Sequence, residues 1–168
     1  LASSAYNKRR ESCENAVAAI AKRHPEVKFL RDASMAWLDE VKAEISEEDY
    51  KRAEYVIGEV QRVLDVCEAL DKGDYETVGQ RMYDTHYGMS KLYEVSCEEL
   101  DFLNDFAKEL GVTGSRVMGG GFGGCTINLV KDELYDTFKK EAHDRYVAKY
   151  GREPKFYDVV ISDGARKL

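Results

Sequence analysis

An α+β fold is what the amino-acid sequence predicts: a small antiparallel sheet with helices packed on it, plus an antiparallel helical pair. Three observations predict it. Apolar residues recur at helical spacing through most of the chain, giving about six helices. The β-branched runs are short and lie towards the C-terminal end, on either side of a glycine-rich stretch. Strands and helices are therefore segregated instead of alternating as βαβ units, which argues against a doubly wound sheet.

In chain order, Ser3 and Ser4 are placed to cap a first helix whose apolar positions include Tyr6, Cys13, Val17 and Ile20. His24-Pro25 ends it, because the residue before proline is pushed out of the helical region. Ser34 opens a short second helix with Met35, Leu38, Val41 and Ile45 inward. Ser46-Glu47-Glu48-Asp49 resembles a capping box and opens a long helix with the inner stripe Tyr50, Ala53, Ile57, Val60, Leu64, Cys67 and Leu70. Gly73 ends that helix and Asp74 caps the next, which turns Val78, Met82, Met89 and Leu92 inward. So short a connection makes these two helices an antiparallel pair. Ser96-Cys97-Glu98-Glu99 is a second capping box, before a helix burying Leu100, Leu103, Ala107 and Leu110 and closed by Gly111. After the glycine-rich strands comes a helix from about Asp132 to Tyr150, with Gly151 as its C-terminal cap. Phe156 to Ile161 adds a strand, for about three or four in all, before Asp163-Gly164 turns the chain.

The stretch from Gly114 to Gly124 contains six glycines in eleven residues, five of them between Gly119 and Gly124. Glycine costs backbone entropy on folding, so this density implies tight turns with positive φ, or close approach of backbone to a ligand such as a phosphate. Gly119, Gly121 and Gly124 fit the G-x-G-x-x-G spacing of a dinucleotide fingerprint. That fingerprint needs a helix directly after the glycines, where its N-terminus meets the pyrophosphate. Here Ile127, Leu129 and Val130 favour a strand instead, and a helical pattern opens only at Lys131-Asp132-Glu133. The dinucleotide reading fails. A protein-kinase glycine loop also joins strand to strand, but its companion lysine, H-R-D and D-F-G motifs are missing. A glycine-rich hairpin without a ligand remains open at this point.

Composition bounds the rest. The 168 residues are 43% hydrophobic and 34% charged, which suits one ordinary globular domain. A net charge of −7 argues against nucleic acid as a partner, and Lys8-Arg9-Arg10 is too short a basic patch to reverse that. It reads as the exposed face of a helix. Cys13, Cys67, Cys97 and Cys125 have no zinc-like spacing and sit at core positions, which suits buried reduced thiols and a cytoplasmic protein without membrane attachment. The first residue is Leu1, so the sequence reads as a piece cut from something longer.

Four stretches carry a resemblance to a known family. Leu1-Ala2-Ser3-Ser4-Ala5-Tyr6-Asn7-Lys8-Arg9-Arg10-Glu11-Ser12-Cys13-Glu14 resembles the segment that follows the catalytic half of galactokinases, in the GHMP kinase superfamily. Tyr93-Glu94-Val95-Ser96-Cys97-Glu98-Glu99-Leu100-Asp101 is similar to another family stretch, with Glu98 where proline is usual. The run from Gly114 to Cys125 looks like the third GHMP motif in its galactokinase form, with Met118 where threonine is usual. Ser162-Asp163-Gly164-Ala165 resembles the family's C-terminal end. The four occur in consistent order along the whole chain.

This resemblance implies one GHMP kinase C-terminal domain over residues 1–168, its N-terminal half absent. It implies ATP-dependent phosphorylation of galactose at the anomeric hydroxyl, with ATP and Mg2+ held mainly by that N-terminal half, the domain's principal partner. The sugar-recognition signature, the phosphate motif and the catalytic Asp and Arg belong there, so no catalytic residue is expected in this chain. By the same resemblance Tyr6 hydrogen-bonds a sugar hydroxyl, while Gly119, Gly120, Gly121, Phe122, Gly123 and Gly124 line the cleft and support the nucleotide phosphate loop. A galactokinase-like sugar sensor without turnover and an N-acetylgalactosamine kinase share these features. Removal of the other half is expected to expose an apolar patch and drive self-association.

Other candidate residues read as structural. Arg116 suits a surface ion pair, and His86 beside Asp84 a helix surface without a nucleophile nearby. His24 and His143 read as exposed, Trp37 as packed, and Glu47-Glu48-Asp49 as a helix start and not a metal site.

Overall fold

The computed structural model describes residues 2–160 and 162–164. Six α-helices and two strands follow one another as α1 (Ala2–Ile20), α2 (Met35–Glu40), α3 (Glu47–Asp71), α4 (Tyr75–Lys91), α5 (Glu98–Glu109), β1 (Gly114–Val117), β2 (Thr126–Leu129) and α6 (Asp132–Tyr150). Single 3-10 turns at Leu30–Asp32 and Lys42–Glu44 flank α2. The α+β architecture expected from the sequence is present.

Its pieces form where the caps place them. Ser34 accepts from the Trp37 amide, Ser46 from that of Asp49 and Asp74 from that of Thr77, each satisfying a helix donor that has no partner within its own helix. Gly151 closes α6 in the left-handed region at φ 66°. Other boundaries differ from the expectation. Helix α1 already includes Ala2, so Ser4 lies inside its first turn and caps nothing; the Ser3 side chain lies outside the described residues. The same helix stops at Ile20, short of Pro25, where the Arg23 and His24 amides fold back to the Ile20 carbonyl. Helix α5 takes Cys97 and not Ser96 as N-cap, without a side-chain bond.

Three apolar clusters run through the molecule. Ile20 of α1, Val27, Leu30, Leu38, Val41 and Ile57 of α3 form the first. Tyr55, Met89, Val95, Leu100 and Val117 form the second, between α3, α4, α5 and β1. Phe106, Val112, Phe138 and Ala142 join α5 to α6 in the third. The expected stripe along α3 is buried only at its start, at Ala53 and Ile57, while Val60, Leu64, Cys67 and Leu70 are exposed. The reason is geometric. Helices α1 and α2 cover the first half of α3, and α4 meets a different face, where Thr85 donates to Glu59 (2.9 Å) and Arg81 pairs with Asp65 (3.0 Å). Four buried thiols were expected, but Cys67 is exposed and Cys13, Cys97 and Cys125 are only partly buried; all four are free.

Among the described residues the sheet has two strands, β1 and β2, antiparallel with Gly114 opposite Leu129 and Val117 opposite Thr126. The strand expected from Phe156 is absent over 156–160; Ile161 lies outside the described residues. A strand needs a ladder partner, and this segment has none: Val159 and Val160 are exposed, while Asp158 bonds Tyr135 and Lys139 of α6 by its side chain.

The hairpin is seated by close contacts. Tyr83 of α4 donates to the Val112 carbonyl (2.7 Å), and buried Asn104 of α5 donates to that of Ser115 (2.7 Å). Gly79 lets the α4 backbone approach so near that a Cβ there would overlap the Thr113 carbonyl. In the complete protein, Gly79→Ala is therefore expected to cost about 1–3 kcal/mol through overpacking. Melting lowered by several degrees would bear this out, and an unchanged transition would show that helix and hairpin are not in close contact.

Candidate functional site

The loop between β1 and β2 is closed by the Met118 amide donating to the Cys125 carbonyl at 3.0 Å. Between them the backbone has positive φ at Gly119, Gly121, Phe122, Gly123 and Gly124. Strand follows the loop and α6 begins only at Asp132, so no helix opens directly after the glycines, as the sequence indicated. At Gly121, with φ 81°, a side chain is excluded twice, because its Cβ would also overlap the Val95 carbonyl. The same carbonyl accepts the Phe122 amide at 2.6 Å. Val95 lies in the link between α4 and α5, and its own amide donates to the Met89 carbonyl (2.8 Å). The loop is pinned to the interior through a single peptide.

Its other neighbour is α1. The Tyr6 ring meets the Phe122 ring edge-on, with centroids 5.1 Å apart. A Cβ on Gly120 would stand 2.9 Å from the Tyr6 Oη, so that position has room only for glycine while the tyrosine keeps its place. Tyr6 is 44% exposed, and its hydroxyl has no hydrogen-bond partner among the described residues. The sequence-nominated residues Tyr6, Gly120, Gly121 and Phe122 therefore share one surface. Gly119, Gly123 and Gly124 complete the loop, with open space where a Cβ would be.

Sequence reasoning misjudged two basic residues and a histidine here. Arg9 belongs to a run expected to be exposed, yet only 9% of it is accessible. Its Nε donates to the Tyr93 carbonyl (3.0 Å), its Nη2 to that of Glu94 (2.6 Å), and its guanidinium stands 5.2 Å from the Phe122 ring centre. Burial, then the nearby Arg52, pulls its pKa below the ordinary guanidinium value. The signal available in the sequence was spacing, since Arg9 is one helical turn from Tyr6 and shares its face. Arg116, expected in an ion pair, instead donates to the Val117 carbonyl (2.9 Å).

His86 was expected at a helix surface beside Asp84, but it is 4% exposed and its Nε2 meets Asp101 Oδ1 at 3.1 Å. Ser90 donates to the other Asp101 oxygen at 2.7 Å. The buried Nδ1 has no partner, so the charged imidazolium would strand a proton there. Burial lowers the histidine pKa, and Asp101 opposes this only in part. Burial pushes the Asp101 carboxyl upward, but the nearby Ser96, the hydrogen bond from Ser90 and the facing His86 hold it below the usual carboxylate range. This is a structural pair between α4 and α5, with no nucleophile placed to use it. His24, read as exposed, is partly covered and stacks on Trp37 at 4.2 Å, which packs on the first apolar cluster as expected.

Among the described residues no group of three His, Cys, Asp or Glu could hold a metal ion. The wall offers one free phenol hydroxyl and a bare glycine backbone.

Comparison with known proteins places the fold in a family. Residues 66–147 match the family described as GHMP kinases C terminal. This stretch is a GHMP kinase C-terminal domain. The whole chain is 42% identical to a galactokinase of Clostridium beijerinckii and 37% identical to one of Thermotoga petrophila, covering 43% and 46% of them. It thus spans less than half the length of the curated relatives it matches. A solved structure of Lactococcus lactis galactokinase complexed with galactose superposes with a TM-score of 0.83 at 30% identity, over 92% of this chain and 40% of that one. The GHMP domain therefore matches the C-terminal part of galactokinases in both sequence and fold.

Two measurements probe this geometry. Gly121→Val in the complete protein is expected to cost about 1–3 kcal/mol from backbone strain, with loss of activity; wild-type melting and turnover would show the loop to be ordinary. For His86, the folded pKa lies below the unfolded one, so the unfolded chain binds the proton more readily as pH falls below about 6.5. Stability should therefore decline on acidification through that value, before Asp101 titrates. Melting scans between about pH 8 and pH 5 should show a shallower decline in His86→Gln; equal slopes would contradict this.

Proposed function

We propose that the chain forms one wall of a galactokinase cleft, whose complete protein transfers the ATP γ-phosphoryl group to the anomeric hydroxyl of galactose. The observation that carries this reading is the exposed, unpaired Tyr6 hydroxyl set against Gly120 and Phe122 of the loop. Tyr6 donates to or accepts from a sugar hydroxyl. The loop from Gly119 to Gly124 lies along the nucleotide side, where five glycines leave only the Phe122 side chain and let the partner half close. The catalytic carboxylate, the phosphate motif and the residues for Mg2+ come from that half, and residues 1–168 act as a single domain against it.

The same reading places the protein in the cytoplasm. Among the described residues no helix is long and apolar enough to cross a membrane. Phe29, Val63 and Leu64 are exposed beside a groove of about 600 Å³ lined by Cys13, Val17, Leu30, Val56 and Val60, a surface through which the isolated chain self-associates.

Assays of the purified complete protein with galactose, ATP and Mg2+ are expected to yield galactose 1-phosphate, and the isolated chain none. Sedimentation of the isolated chain should show species larger than a monomer. Turnover by the chain alone would overturn the division of labour, a strictly monomeric chain the self-association, and galactose bound without turnover the kinase assignment itself.

A further inference from the structure

We infer that Arg9 is a positioning residue, fixing the Phe122 ring and through it the Tyr6 hydroxyl without touching substrate. The inference rests on the galactose reading of Tyr6, and deepens it by naming what holds the tyrosine.

The contacts form a closed circuit. Arg9 leaves α1 and spends two donors on the Tyr93 and Glu94 carbonyls, at 3.0 and 2.6 Å. Glu94 has φ 54°, a left-handed conformation that a residue with a side chain keeps only where its surroundings impose it. The next residue, Val95, is 2% exposed and presents the carbonyl that takes the Phe122 amide. Phe122, also left-handed at φ 58°, returns its ring to within 5.2 Å of the Arg9 guanidinium. Tyr6 then leans on the free edge of that ring. One side chain thus holds both the peptide that anchors the loop and the ring that supports the tyrosine.

Charge fits this role. A guanidinium presents a flat fork of donors and a face for an aromatic ring, which lysine does not. Arg52 lies behind it, bonded to Ser12 (2.9 Å) and paired with Glu48, and its guanidinium approaches the Glu94 carboxylate at 3.7 Å. The strained Glu94 turn is held by its carbonyl from Arg9 and by its side chain from Arg52.

The test uses the complete protein with Arg9→Gln, Arg9→Lys and Phe122→Leu. Misplacing one sugar hydrogen bond is expected to raise the galactose KM about ten-fold, with kcat changed less. Lysine should recover part of this, and adding Phe122→Leu to Arg9→Gln should do little further harm. Deuterium exchange of the peptide covering 118–125, without ligand, should quicken in both Arg9 variants. If Arg9→Gln does not fold, Arg9→Lys and Phe122→Leu give the same readings. Wild-type protein inactive on galactose would remove the proposed function while exchange still judges Arg9. Lowered melting with unchanged exchange and unchanged KM would reduce Arg9 to a structural residue and overturn the inference.

Discussion

The hydrogen bond from the Phe122 amide to the Val95 carbonyl is the constraint on which the rest depends. It joins a glycine loop whose one side chain between Gly119 and Gly124 is the Phe122 ring to a buried residue between two helices. Without that tie the loop would be six residues of unrestrained backbone, and flexible loops surrender binding energy to the entropy of ordering. With it, the left-handed angles at Gly119 and from Gly121 to Gly124 are held in one arrangement. Gly121 is the point where this requires the absence of a side chain, because the Val95 carbonyl occupies the space.

The wider fold exists to hold the two ends of that tie. Val95 is fixed because α4 and α5 pack in the cluster of Met89, Leu100 and Val117. The loop is fixed because β1 is bonded by Asn104, the residue Val112 just before it by Tyr83, and its first residue lies close against Gly79. Tyr6 arrives from α1, whose far end is anchored by Ile20 in the first apolar cluster. Three separately packed regions meet at one surface.

Much of this was legible in the sequence, and the failures have physical causes. Caps at Ser34, Ser46 and Asp74 lie where local hydrogen-bonding chemistry places them, since such signals need no knowledge of distant residues. The strand-to-strand character of the glycine loop was legible for the same reason. Apolar periodicity found α3 but not which neighbour would cover it, so Val60, Leu64 and Leu70 were assigned to a core that stops at Ile57. The segment from Phe156 has strand composition without a partner, and pairing is not a local property. Arg9 and His86 were misread alike: a charged or titratable residue on a helix defaults to the surface, and only tertiary contacts with Phe122 or Asp101 show otherwise. Tyr6 was reached through family resemblance alone, since a single tyrosine carries no signal of its own.

The claim that loop and tyrosine act as one unit is tested most directly by a double-mutant cycle on galactose affinity in the complete protein, using Gly120→Ala and Tyr6→Phe. A methyl group at 120 would press on the Tyr6 hydroxyl, the movable end of that side chain, and removal of the hydroxyl makes room for it. The account expects each single change to weaken galactose binding roughly ten-fold, and the double variant to be little weaker than Tyr6→Phe alone. Strictly additive losses, or a Gly120→Ala protein that binds galactose as the wild type does, would contradict it.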